Sequence, residues 1–388
     1  MNFKRNVLLT AVGTALVFSN LKIKAQEKSD SAKTQFKPSG KVWGYVFGDY
    51  YTKLHADSLN RGNAQYSGLA KDMNAFDFRR AYLGYDYNFN EKFRSEILLA
   101  YEGQTLSDNV TRTVFIKSAN IRWKNIIHNV DLILGQSATP SWPYTSEKNW
   151  GYRSVEKTIM DMRKIGSSND FGLALESKLL SNENTEIGIH LMVGNGTAQK
   201  LELDRFKKIY GDIYAKVMDK KIFIELYSDY ERINLDPYHK SKMTVKSSLA
   251  YISDIFTAGV EVYNQNQENY VINADSLAGK KDTANATSFG FSVFIKGMII
   301  KDKLGYFARY DRYNPDANFN ENKYYFSGAS PVSETFITAG VDYTPNKNVH
   351  IMPNIWYNAY TNNSKNVNGM TRSDYDLVAR LTFYYIFK

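Results

Sequence analysis

Apolar and polar side chains alternate in segments of about ten residues that recur from residue 41 to the end of the chain. In the last segment Tyr375, Leu377 and Leu381 fall on one face, and Asp376 and Arg380 fall on the other. Successive side chains of a β-strand point to opposite faces, so this period of two predicts strands with one apolar and one polar face.

We predict sixteen such strands, joined alternately by short turns and long loops. An even number of antiparallel strands with these links is typical of single-chain bacterial outer-membrane barrels. The predicted fold class is all-β, a transmembrane antiparallel β-barrel of about sixteen strands. The strands are expected to begin near Lys41, Phe76, Phe93, Thr113, Asn129, Asp170, Glu186, Gly211, Lys221, Met243, Phe256, Ser288, Leu304, Thr335, Val349 and Asp374.

The longest interruption of the alternation in the first half of the chain lies between Gln136 and Asn169. It contains two prolines, two tryptophans and several basic residues. A loop of this length is usually functional or disordered, and its aromatic content argues against disorder. We expect it to fold into the mouth of the barrel as a constriction loop that narrows a pore.

Val155, Ile159 and Met162 recur at helical spacing inside this loop. The spacing predicts a helix of one or two turns with its apolar side on the barrel wall and its cations toward the opening. The basic residues outnumber the loop's acids, which favours anions. In the alternative interpretation they pair with wall acids and leave little net field. The four basic residues are Arg153, Lys157, Arg163 and Lys164.

If the apolar faces meet lipid, charged side chains on the same strands must face the lumen. A cation at the bilayer midplane on the lipid face of a barrel costs about 2–4 kcal/mol. The lumen is then a water-filled channel whose selectivity depends on its charges and its narrowest point. By this parity the lining residues are Arg80, Arg94, Glu96, Arg122, Lys216, Glu225, Lys246, Glu261, Lys296, Arg309, Asp311 and Arg380.

The first residues have the features of a secretory signal peptide. Lys4 and Arg5 precede a short apolar stretch, and Ala25 is a plausible cleavage point. We expect residues 1–25 to be the signal peptide, 26–39 a periplasmic tail and 40–388 the barrel. Removing the leader lowers the formal charge from +9 to +5, so a nucleic-acid partner is not expected.

Composition and motifs narrow the function. The chain has no cysteine, which excludes disulfides and thiolate metal sites. Its 29 tyrosines and 22 phenylalanines belong to residue types that are enriched in β-strands. The five histidines have no metal-ligand spacing, and no nucleotide or hydrolase motif occurs. We therefore expect neither an enzyme nor a cofactor.

Four short stretches resemble the phosphate-selective porin O and P family. They are Phe78–Gly84, Ala119–Trp123, Leu134–Pro140 and Ser168–Gly172, where this chain has Asn169 and the family more often has Arg. The resemblance implies a sixteen-stranded, usually trimeric channel with its third outer loop inside. The family's arginine ladder and lysine cluster have no residue-by-residue match here. The leader and the abundance of Asn, Lys and Tyr indicate a Bacteroidota-type source.

The expected function is passive diffusion of small hydrophilic solutes across the bacterial outer membrane, with a mild preference for anions. The expected partners are those solutes, outer-membrane lipid and two further copies of the chain. Two alternatives remain open: a surface receptor or adhesin whose lumen is blocked, and a barrel hydrolase whose catalytic residues are brought together only in space.

Overall fold

The computed structural model describes residues 36–62, 64–103, 112–235, 238–275, 280–324, 331–365 and 369–388. The predicted signal peptide and residues 26–35 of the predicted tail lie outside this range and stay predictions. In the described part of the chain no helix is long and apolar enough to cross a membrane.

Sixteen antiparallel strands form one closed barrel, in which each strand pairs with its sequence neighbours and β1 pairs with β16. The predicted fold class is confirmed. The strands are β1 Ser39–His55, β2 Asn74–Asn88, β3 Phe93–Glu102, β4 Phe115–Ile127, β5 Val130–Ala138, β6 Asn169–Ser181, β7 Glu186–Gly194, β8 Lys208–Val217, β9 Ile222–Leu235, β10 Tyr238–Ile252, β11 Phe256–Asp275, β12 Lys280–Ile300, β13 Leu304–Asn314, β14 Val332–Asn346, β15 Val349–Asn362 and β16 Ser373–Phe387.

Most strands begin close to the predicted positions, and the largest difference is in β12. That strand begins at Lys280, not near Ser288, and it pairs with β11 as far as Asp275. The backbone pairing of this hairpin thus continues beyond the alternating segment that starts near Ser288. The alternation therefore marks only part of the strand.

The barrel exposes apolar side chains and buries charged ones. Leu226 of β9 is 57% exposed, whereas its chain neighbour Glu225 is completely buried. The same inversion holds around the wall, where Val245, Leu249 and Ile213 are also exposed. Such an exterior is unstable in water and stable in lipid, so the outer face is the membrane-contacting face.

The links between strands fall into two classes at the two ends of the barrel. One end has short turns, such as 89–92, where the Asn90 side chain accepts hydrogen bonds from the backbone amides of Lys92 and Phe93. The other end has the long loops 56–73, 139–168, 195–207 and 363–372. In outer-membrane barrels the short turns are periplasmic and the long loops extracellular.

The loop between β5 and β6, here called the constriction loop, contains two short helices. They are α1, Ser146–Trp150, which the sequence did not predict, and α2, Ile159–Met162. The predicted helix over 154–165 is shorter in the structure because Val155 lies in a turn before α2. The prediction of an apolar side is confirmed, since Val155, Ile159 and Met162 are all buried.

The constriction loop lies inside the barrel and touches several walls. Trp142, Ile159 and Met160 pack with side chains from β5 to β9 and β11. Met162 packs with β1 and β14 to β16, and Trp150 and Val155 pack with β12, β13 and β15. Because these contacts lie on different sides of the lumen, the loop crosses it and does not merely line one wall.

Buried polar contacts hold the loop in place. The Lys246 ammonium pairs with Glu225 at 2.8 Å and donates to the Ser141 carbonyl at 2.5 Å. On the opposite side, the Trp356 indole donates to the Glu156 carboxylate at 2.8 Å. These wall-to-loop contacts fix the loop backbone from both sides.

We expect Leu226→Arg to lower the free energy of unfolding in phospholipid vesicles by about 2–4 kcal/mol, because it places a cation in the apolar belt. Leu201→Arg is the matched control, since Leu201 lies in an outer loop and is 83% exposed. Denaturant titration in vesicles measures both. Equal effects of the two substitutions would contradict the assignment of the lipid face.

We expect Lys246→Met to cost about 3–5 kcal/mol, because it leaves the buried Glu225 carboxylate without its cation. The double variant Lys246→Met, Glu225→Met should regain much of this loss, since it removes both charges together. The same titration measures each variant. A double variant less stable than Lys246→Met would show that the pair is not the relevant contact.

Candidate functional site

The inner wall formed by β2, β3 and β4 carries three charged residues in contact, here called the wall cluster. Arg80 and Lys117 each lie 2.6 Å from the Glu102 carboxylate. The Tyr82 hydroxyl accepts a hydrogen bond from Arg80 at 2.6 Å and donates one to Glu102 at 2.7 Å. The wall therefore presents two cations and one carboxylate held in fixed positions.

A β-bulge explains one unexpected cation near this cluster. Phe47 pairs with Arg80 and the next residue, Gly48, pairs with Phe78, so Arg79 is an extra residue in β2. Arg79 and Arg80 consequently both reach the lumen, where Arg79 pairs with Asp49 and donates to the Val155 carbonyl. Strict alternation assigns only Arg80 to the lumen.

A second β-bulge places Lys117 in the lumen. Leu98 pairs with Ser118 and Leu99 pairs with Ile116, so Lys117 is the extra residue of β4. Alternation counted from Ile121 would place Lys117 toward lipid. The bulge turns it inward instead, where it joins Glu102. The sequence signal for this site is Lys117 itself, a charged residue at a position of β4 that the alternation assigns to the lipid face.

The constriction loop faces this wall with four charged residues, here called the loop cluster. Arg153 pairs with Glu147 and lies 2.8 Å from the Asp161 carboxylate. Lys157 lies 4.0 Å from Asp161. Their side chains are 15–26% exposed, so they line open space and are not part of the packed interior.

The space between the wall cluster and the loop cluster is here called the constriction gap. Arg153 interacts electrostatically with Arg80, Glu102 and Lys117. Within the described ranges, however, no ion pair of 4.0 Å or less joins the loop cluster to the wall cluster. This constriction gap carries four cations and three carboxylates, which leaves one net positive charge.

Burial and neighbouring charges together determine the pKa values of the charged side chains in the constriction loop. Burial alone would raise the pKa of Asp161, but Arg153 and Lys157 hold it below its usual range. Burial lowers the pKa of Lys157, and Arg80 adds to this effect while Asp161 opposes it. Asp161 is therefore ionised at neutral pH and balances part of the positive charge.

Two cavities border the constriction loop. The outer cavity, of about 660 Å³, is lined by Arg79, Glu102 and Lys157 and by outer-loop residues such as Tyr66. On the turn side, a cavity of about 330 Å³ is lined by Tyr152, Lys296 and other residues. Residues of the constriction loop therefore line both cavities, one on the outer side and one on the turn side.

The four basic loop residues occupy three different positions. Arg153 and Lys157 line the constriction gap. Arg163 is buried against the wall, where it pairs with Glu334 and donates to Asn358 at 3.0 Å, so its charge is balanced there and does not face the opening as expected. Lys164 lines the outer cavity.

Eight of the twelve charged strand residues predicted to line the lumen are followed here; all eight lie on inward-facing positions, mostly with partners. Arg122 pairs with Asp131 and Glu176, and the Glu96 carboxylate accepts a hydrogen bond from Ser118. Among the described residues, Lys296 has no ion pair; it lines the turn-side cavity. The eight are Arg80, Arg94, Glu96, Arg122, Lys246, Lys296, Arg309 and Arg380.

Comparisons with known proteins support the fold. No protein-family model matches the chain, and no curated protein matches it. Among solved structures, the outer membrane channel DcaP of Acinetobacter baumannii is similar, with a TM-score of 0.61 and 14% identity over 91% of this chain and 99% of that one.

Two further solved structures share the architecture. An anion-selective porin from Comamonas acidovorans has a TM-score of 0.58 and 11% identity, over 90% of this chain and 100% of that one. OmpT of Vibrio cholerae in its trimer form has a TM-score of 0.52 and 12% identity, over 90% and 99%. At these identities the comparisons show the fold alone. A closed sixteen-stranded barrel that is apolar outside and charged inside is typical of bacterial outer membranes, and this chain shares that fold with these structures.

Proposed function

We propose that this protein is an outer-membrane porin, a water-filled channel for passive diffusion of small hydrophilic solutes. The observation that carries the proposal is the constriction loop, which crosses a charged lumen and lines both an outer cavity and a turn-side cavity. A barrel wall lined by charges and narrowed by an inserted loop selects solutes by size and charge. Outer-membrane lipid contacts the apolar exterior.

A mild anion preference is part of the proposal. The constriction gap has one net positive charge, and the outer cavity is lined by Lys164 and Lys200 but also by Asp77 and Glu156. Arg79, Arg80 and Arg153 each pair with a carboxylate, so little cationic charge remains for a solute. This balance supports a general channel with weak anion preference and gives no support for phosphate specificity.

We also propose a homotrimer, on the basis of the family resemblance and of the trimer form of the similar Vibrio cholerae barrel. That the chain is not an enzyme and needs no cofactor stays a prediction. The alternative of a receptor with a closed lumen has one observation in its favour, since the constriction loop contacts several walls.

Single-channel recording in planar bilayers tests the channel directly. We expect discrete ohmic current steps in potassium chloride at low protein load, because a charged, water-filled lumen conducts ions past the constriction loop. Membranes that stay silent at high load of folded protein would reject the porin proposal and favour the receptor.

Reversal potentials in a salt gradient test the sign of selectivity. A unit charge about 5 Å from a passing ion contributes about 0.8 kcal/mol in water, roughly a fourfold change in local anion concentration at low salt. We therefore expect Lys157→Gln to shift selectivity toward cations and Glu102→Gln to shift it toward anions.

The matched control is Lys303→Gln, since Lys303 lies in an exposed turn outside the gap and should leave the reversal potential unchanged. Shifts of the same sign in Lys157→Gln and Glu102→Gln would contradict the assignment of these residues to the narrowest point.

A further inference from the structure

The inner face of β1 carries aromatic rings that a simple ion channel does not need. Trp43, Tyr45 and Phe47 follow one another on inward-facing positions, with ring centroids 6.5 and 6.3 Å apart and planes within 18° and 5° of parallel. Tyr82 and Tyr384 pack against Tyr45, at 4.6 and 6.1 Å. We call these five residues the aromatic wall.

The aromatic wall is continuous with the constriction gap. Tyr82 belongs to both, since its ring packs on Tyr45 while its hydroxyl bonds Arg80 and Glu102. Across the gap, Tyr45 interacts electrostatically with Arg153 and Glu147 of the constriction loop. The rings therefore lie next to the charged residues of both clusters.

The members of the aromatic wall differ in burial. Phe47 and Tyr82 are buried, at 1% and 2% exposure, and act as packing. Trp43, Tyr45 and Tyr384 keep part of their surface open, and Tyr384 also lines the turn-side cavity. Trp43, Tyr45 and Tyr384 are consequently the rings of the aromatic wall that have surface available to a solute.

The chemistry around these rings specifies the solute class. Aromatic surface attracts the apolar C–H groups of another ring, whereas an inorganic anion gains nothing from it. The adjacent charges supply donors from Arg80 and Arg153 and acceptors from Glu102 and Glu147 in near balance. Hydroxyl groups both donate and accept hydrogen bonds, so they can use both kinds.

We propose that the aromatic wall and the constriction gap form a binding site for uncharged sugars, with the sugar ring against Tyr45 and Trp43 and its hydroxyls toward the paired charges. The inference rests on the proposed channel function and adds a solute class to it. Apolar surface with a few convergent polar groups is the usual make-up of a small-molecule site.

Current block in planar bilayers tests this site. Maltotriose at millimolar concentration should interrupt the single-channel current of the folded protein, and sorbitol, an acyclic polyol, should not at equal concentration. Tyr45→Ala and Trp43→Ala should each weaken the block by about twofold to tenfold, the range for loss of one ring contact. Tyr45→Phe should retain it.

Tyr85→Ala is the matched control, because Tyr85 faces lipid on β2 and is 43% exposed; its block should equal that of the unaltered channel. Conductance without block by maltotriose, or stronger block by benzoate than by maltotriose, would overturn the sugar site and leave the porin proposal standing. Absence of conductance would overturn both.

Discussion

The structure depends on the cost of placing charge against lipid. A membrane-spanning strand has one lipid face and one lumen face, and a cation on the lipid face costs about 2–4 kcal/mol at mid-membrane. The charged side chains of each strand therefore collect inside a closed barrel, which also leaves no open sheet edge in the bilayer. Exposed Leu226 beside buried Glu225 shows this constraint within two residues.

Crowding charges into the lumen creates a second requirement, since a buried charge needs a partner. The structure meets it with pairs such as Lys246–Glu225 within the wall and Arg163–Glu334 between loop and wall. These pairs hold the constriction loop across the lumen. These pairs also cancel most of the electric field in the lumen. The number of basic residues in the constriction loop therefore overstates the charge that a passing ion would meet.

Much of this architecture could be predicted from the sequence. The strands, the lipid face and the inserted loop all follow from a period of two and its longest interruption. The bulges at Arg79 and Lys117 could not, because one extra residue shifts the parity of a strand without changing its composition. Two adjacent arginines, Arg79 and Arg80, in a strand with one lipid face were the visible sign.

The ion pairs between individual cations and carboxylates could not be predicted from the sequence either. Arg153 and Arg163 lie ten positions apart in one loop, yet one lines the gap and the other anchors the loop to Glu334 of β14. Which cation meets which carboxylate depends on how the loop crosses the barrel. The field at the narrow point is therefore a property of the folded chain and not of its composition.

The charged face of each strand contacts water, as does the constriction gap. The apolar face of each strand contacts lipid. Because the chain has no cysteine, single cysteines report on this directly. A charged, water-soluble thiol reagent should modify Lys157→Cys rapidly and change the single-channel current, and should leave Leu226→Cys unmodified in vesicles. Fast modification of Leu226→Cys with Lys157→Cys protected would contradict the account.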